Sequence, residues 1–338
     1  AASDVYKRQE LSGAANLFDG MPTDPLDCDS DDDGEDDGLE IFNGSDPNDE
    51  NSDSSTLTTI VVNGRRDPLY GGAITVQTVN TEFGDNLSEW NAAYGRIEDG
   101  KLFLMLTGNL EDSFNKLQVL IDSSDFVTTN VYSGIAGNPD FVNVMNGMTF
   151  DTGFTPDYHL IFRRGFDGST NKFDLDFIDL GAGVSNFYGD LGGGVNTGFS
   201  ANTGTGVANT SPIGVAYDGS NTGGVVGGTG AADFGAASAA ATGLEICIDL
   251  CDLGEPDDED IRIMVLQNND NHDFLSNQTL AGLPAGTGNL GNPASTVDFS
   301  GIAGDQFFSI NVPAGAANCG AGAVTLSIEV IGGNAVLS

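Results

Sequence analysis

Nine short β-rich runs, with almost no helical periodicity between them, set the strongest limit on what this chain can fold into. They cover residues 58–63, 73–78, 101–107, 116–122, 157–163, 172–178, 244–250, 261–267 and 306–312. Gly, Asn and Asp punctuate them, as tight turns require. Parallel βαβ units need an amphipathic helix between successive strands, and the connections carry no such pattern. The expectation is an all-β chain, a large antiparallel β-sandwich of jelly-roll-like build over 57–320. Within 101–107, Leu102, Leu104 and Leu106 face one way and Phe103 and Met105 the other, so this strand is expected to be covered on both faces. Asp99-Gly100 just before it reads as a hairpin turn.

A second constraint lies upstream. Residues 24–53 hold eleven Asp, three Glu and no Lys or Arg. So dense a run of carboxylates repels itself unless a cation neutralises it. Asp29-x-Asp31-x-Asp33-Gly34 followed by Glu40 has the spacing of an oxygen-ligand calcium loop, with Glu35 at the backbone-carbonyl position. Asp36 stands where an EF-hand wants an apolar residue, and Pro22 and Pro25 forbid an entering helix. The loop pattern is present without its helical frame; a disordered acidic linker is the alternative.

Thr23-Asp24-Pro25-x-Asp27-x-x-Ser30-Asp31 returns twenty-two residues later as Ser45-Asp46-Pro47-x-Asp49-x-x-Ser52-Asp53. With Gly38-Leu39-Glu40 ahead of Gly44-Ser45-Asp46-Pro47, this layout resembles the thrombospondin type 3 repeats. The resemblance implies a calcium-stiffened stalk over residues 10–56, with Asp27, Asp29, Asp31, Asp33, Asp37 and Glu40 as ligands and Ca2+ as the cofactor. Residues 1–9, containing Asp4-Val5-Tyr6-Lys7-Arg8-Gln9, read as a sequencing-adapter scar.

The start of the main domain carries Ile60-Val61-Val62-Asn63-Gly64-Arg65-Arg66-Asp67-Pro68-Leu69-Tyr70, then Asp99-Gly100-Lys101-Leu102-Phe103, then Val119-Leu120-Ile121-Asp122. These segments resemble the bacterial carbohydrate-binding family 9 and DOMON-like sandwiches. The likeness ends near residue 125 and supports the fold more than an activity. A sugar-binding face needs exposed rings; Tyr70, Trp90 and Tyr94 are the candidate platform, with core packing as the alternative. Asp122 closes its strand either as a turn cap or as a structural calcium ligand, the latter implied by the resemblance.

Residues 180–243 are dominated by Gly, Ala, Asn, Thr and Ser, and are expected to form exposed loops with one or two edge strands near 212–217. Val324, Leu326, Ile328 and Val330 alternate with polar residues before Gly332-Gly333-Asn334, so 321–338 reads as the first hairpin of a further β domain or as a strand donated to a neighbour. Cys247 with Cys251, or either with Cys319, are candidate disulfides; Cys247 as a buried thiol is the alternative.

Chemistry is sparse. No nucleophile elbow, HExxH or P-loop is present, and of the two histidines His159 sits within a strand run. His272, with Asp270 and Asp273 in the loop Asn268–Asp273, is the candidate for a second ion or ligand site. A net charge of −39 argues against nucleic acid and anionic membranes as partners, and the lack of a long apolar run against direct membrane insertion. The combined reading is a non-enzymatic, secreted or cell-surface calcium-binding structural protein that associates with itself or with neighbouring surface proteins. The alternative is a carbohydrate-binding module that recognises polysaccharide.

Overall fold

The computed structural model describes residues 59–317 apart from 125 and 258, together with residues 30, 48 and 319 and the backbone of 328–331 and 334–337. The chain is largely antiparallel β-structure in two principal sheets. Its strands are β1 (Thr75–Val76), β2 (Glu89–Glu98), β3 (Lys101–Asn109), β4 (Lys116–Asp122), β5 (Tyr158–Phe166), β6 (Asn171–Asp179), β7 (Val184–Tyr188), β8 (Phe199–Asn202), β9 (Gly214–Tyr217), β10 (Gly243–Asp249), β11 (Asp260–Asn268), β12 (Leu275–Leu280), β13 (Phe308–Asn311), β14 (Ile328–Ile331) and β15 (Asn334–Leu337). One short helix, α1 (Phe234–Ala239), lies between β9 and β10.

The first sheet runs β1-β2-β3-β10-β9-β8. The second runs β12-β11-β4-β5-β6-β7, with β13 pairing the other half of the β11 edge. The chain therefore visits the sheets in blocks, crossing after β3, after β7 and after β10. β14 and β15 pair antiparallel as a separate two-stranded sheet, with Ile331 opposite Asn334.

Alternation along the strands builds three hydrophobic layers. Leu102, Leu104 and Leu106 of β3 face Leu117, Val119 and Ile121 of β4 and Leu160 and Phe162 of β5 between the sheets. Phe103 and Met105 point the other way, into a layer roofed by Ile60, Tyr70, Val225 and Ala237. Leu120, Ile161, Ile178 and Met264 leave the second sheet on its outer side and pack beneath Tyr132, Met145, Phe150 and Phe299. Both outer faces are thus roofed by connecting segments, and the two-sided burial expected of β3 is present.

Eight of the nine expected runs contain a strand, although only Thr75–Val76 forms within 73–78. The run 58–63 forms no strand. Its Asn63 and Gly64 amides instead donate to the Glu245 carboxylate at 2.7 and 2.9 Å, and the Tyr70 hydroxyl donates to the same group at 2.9 Å. The opening motif therefore folds as a clasp around one buried carboxylate. Asp99 and Gly100, both at positive φ, close the β2–β3 hairpin. Cys251 and Cys319 form a disulfide and Cys247 is a half-buried thiol.

Candidate functional site

The outer side of the second sheet carries a cluster of ionised side chains that its strand pattern puts there. In β4, Leu117, Val119 and Ile121 take the inner positions, which leaves Lys116 and Gln118 on the outer face. Register then aligns Asn268 with Lys116, Lys116 with Arg163 and Arg163 with Asp174, while Asp176 lies opposite Phe187 of β7. Asp174 and Asp176 alternate with the core residues Phe173, Leu175 and Phe177 for the same reason.

A loop supplies the third carboxylate. Asp140 Oδ2 lies 3.0 Å from Lys116 Nζ, 3.1 Å from Arg163 Nη1 and 3.1 Å from His272 Nε2. Arg163 Nη1 also reaches Asp176 at 2.6 Å. Burial pulls the Lys116 ammonium below its usual range despite Asp140. Burial alone would lift the Asp140 carboxyl, but the His272 hydrogen bond and the Arg163 and Lys116 charges outweigh it and hold it low.

A directional hydrogen-bond chain runs inward from this cluster. Gln118 Nε2 donates to Asn268 Oδ1 at 2.7 Å and faces His272 Nδ1 at 3.1 Å, so Nδ1 accepts and His272 Nε2–H donates to Asp140. Gln118 Oε1 accepts from His159 Nε2–H at 2.6 Å, and His159 Nδ1 accepts from the Tyr132 hydroxyl at 2.8 Å. Every ring nitrogen along these bonds has a partner. Burial pushes His159 down to about 3.

Backbone strain concentrates here. Among the described residues nine non-glycines have positive φ, and Phe114, Asn138, Asp140, Phe141, Asp190 and His272 surround this cluster. A left-handed conformation costs a non-glycine residue about 1–2 kcal/mol, and a bulky one adopts it rarely. Asp140 and Phe141, at φ 46° and 61°, point in opposite directions: the carboxylate turns inward while the Phe141 ring is 73% exposed. Phe187 is 58% exposed, with the Arg163 guanidinium carbon 5.2 Å from its ring centroid. The Phe114 ring lies across Gly165, where a Cβ would collide with it. The result is a charged floor edged by phenylalanine rings.

Several sequence expectations need correction. Tyr70, Trp90 and Tyr94 form no exposed platform, because all three are buried. A bulge at Asn91 inserts one residue between Trp90 and Tyr94 and sends them to opposite faces of the first sheet. Trp90 enters the layer between the sheets and donates to Gln267 Oε1 at 2.8 Å. Tyr94 packs near Tyr70, with ring centroids 6.5 Å apart. The loop trio also separates: His272 joins the cluster, Asp270 faces solvent, and half-buried Asp273 accepts from Asn269 at 2.7 Å.

Asp122 ties a loop and a strand, accepting from Thr155 N at 3.0 Å and from Arg262 at 3.4 Å. The calcium-loop residues Asp27, Asp29, Asp31, Asp33, Glu35, Asp37 and Glu40, with Cys28, lie outside the described residues. Among the described residues no three His, Cys, Asp or Glu side chains converge as a metal-ligand set. Sequence reasoning missed Lys116, Arg163, Asp140, Asp174, Asp176 and the flanking phenylalanines. The usable signal was charge at alternate positions inside apolar strands, as in Phe173-Asp174-Leu175-Asp176-Phe177. Comparison of the chain with family models, with curated proteins and with solved structures finds no match.

Proposed function

We propose that this chain is an extracellular, non-enzymatic, jelly-roll-like β-sandwich module that binds a neutral polysaccharide at the Arg163 patch, carried on a calcium-stiffened acidic stalk. The observation behind this reading is the coincidence of strained backbone, exposed phenylalanine rings and ordered charged groups at one place on the surface. Strain of this kind persists only where surrounding structure holds it, and it gathers at ligand-contact sites. Aromatic faces suit the apolar faces of sugar rings, while exposed Asp190, whose amide donates to Asp174, offers an acceptor to hydroxyls. With net charge −39, an anionic polymer would be repelled, which favours a neutral one. The disulfide agrees with an oxidising location.

Affinity electrophoresis through gels containing laminarin, xylan or galactomannan tests the reading. Retardation by at least one is expected, with the affinity of Phe187→Ala about tenfold weaker, the loss of roughly one stacking contact. Because the Phe187 ring is largely exposed, this variant is expected to fold normally. Unretarded migration in all three gels would sink the proposal.

The β14–β15 hairpin favours a second reading, a self-associating structural building block. Two-stranded sheets are marginal alone, and on this reading a strand of a neighbouring molecule completes this one. On this reading, light scattering of the chain freed of metal by chelator rises to regular polymers when millimolar calcium is added. An unchanged monomer would remove it.

A further inference from the structure

A second site lies at the far end of the first sheet, where β2 begins and β3 ends. Glu89 and Asn109 are cross-strand partners, and both are buried, at 0% and 5% exposure. The Glu89 carboxylate accepts from Asn86 N at 2.7 Å and from Asn221 Nδ2 at 3.2 Å. The Asn109 amide nitrogen donates to the carbonyl oxygens of the same two residues, both at 2.9 Å. Carboxylate and amide are therefore held by the same two residues, one of them in the glycine-rich segment around Asn221.

Two features of this place are unexplained by the fold. The buried Asn109 Oδ1 has no hydrogen-bond partner, and neither has the buried Ser88 Oγ in the adjoining turn. A neutral acceptor left unpaired in this way is costly. The groups that act electrostatically on Glu89 are Asp85, a second carboxylate, and the asparagines 86, 91 and 221, with no basic side chain among them. Burial accordingly pushes the Glu89 carboxyl up to about 7. Carboxylate and amide oxygens without thiol or imidazole are the donor set of a hard cation.

We infer that Glu89 and the unpaired Asn109 Oδ1, assisted by Asp85, hold a calcium-class divalent cation that clamps the glycine-rich segment at Asn221 onto the first sheet. The cation takes the place of the missing positive charge and gives the amide oxygen its partner. Its residues are other than those of the acidic stretch 24–53 and of the Arg163 patch.

Trp90 makes the site testable, because it is the only tryptophan in the chain and follows Glu89 directly. Terbium is added to the whole chain, and its emission is recorded while tryptophan alone is excited. The expected result is saturable, Trp-sensitised emission that calcium displaces. Glu89→Gln is expected to weaken terbium about tenfold, and Asn109→Asp, which adds a carboxylate, to tighten it about tenfold. Asp31→Ala with Asp33→Ala should leave this emission unchanged. No sensitised emission, or an affinity unchanged in Glu89→Gln, overturns the inference, as does loss of the signal in the Asp31/Asp33 variant. Should Glu89→Gln fail to fold, Asn109→Asp decides, and unchanged terbium affinity there overturns it.

Discussion

Asp140→Ala is expected to destabilise the fold by about 3–5 kcal/mol, the range for removing one partner of a buried ion pair. The reason lies in what remains behind. Lys116, 4% exposed, makes its ion pair with Asp140, and Arg163, 9% exposed, sits within 3.1 Å of the same carboxylate. Arg163 keeps Asp174 and Asp176 after the substitution; Lys116 is left with a buried charge and loses its proton more readily. His272 loses the acceptor of its Nε2–H as well. Alanine brings no relief of strain, since position 140 stays at φ 46°. Asp140→Gly separates the two terms: it loses the same charges but relaxes the left-handed backbone, and should be about 1 kcal/mol more stable than the alanine variant. Urea midpoints measure both. An alanine variant within 1 kcal/mol of the parent would mean that the cluster is as solvated as a surface ion pair.

How far this cluster was legible beforehand depended on which interaction set each residue's place. Strands such as β4 and β11 were visible because burial on both faces leaves a largely apolar run, Val119-Leu120-Ile121 and Ile263-Met264-Val265-Leu266. The longest strand, β2, was not, because the bulge at Asn91 breaks the alternation of Trp90, Tyr94 and Ile97. β12 was hidden for another reason: Ser276, Asn277, Gln278 and Thr279 are fully buried, yet satisfied by bonds such as those from Asn277 to Asn80 O and Thr287 O. A polar strand reads as a loop until its partners are known. The site was hidden for the same reason on a larger scale. Asp140 lies 24 residues from Lys116 and 132 from His272, and only tertiary structure brings them together. His272 could be singled out, but not the carboxylate that it serves.

The folded chain is expected to be more stable at pH 5 than at pH 7, by about 2 kcal/mol, when cations are removed by chelator. Three buried groups fix the sign. Burial holds the Glu245 and Glu89 carboxyls up at about 7, against an ordinary value of 4.5. Between those values the folded chain keeps protons that the unfolded chain has released, so acidification favours folding, by about 2 kcal/mol for each over this range. His159 acts in the opposite sense. Its folded value is about 3, so below about pH 6.5 the unfolded chain takes up a proton that the folded chain refuses. The contribution of His159 is therefore fully present above pH 6.5 and declines by about 2 kcal/mol on the way to pH 5. Two carboxyls against one imidazole leave a net gain. Asp122, Asp157 and Asp176, also raised by burial, and relief of self-repulsion at net charge −39 act in the same direction as the two glutamates. Asp140, held low, enters only below the ordinary carboxylate range and does not alter this window. Urea midpoints at the two pH values provide the measurement. Glu245→Gln should remove about half of the glutamate term, whereas His159→Gln should enlarge the acid gain by deleting the term that opposes it. A parent midpoint that falls between pH 7 and pH 5 would show that the buried imidazole, not the buried carboxyls, governs the response to acid.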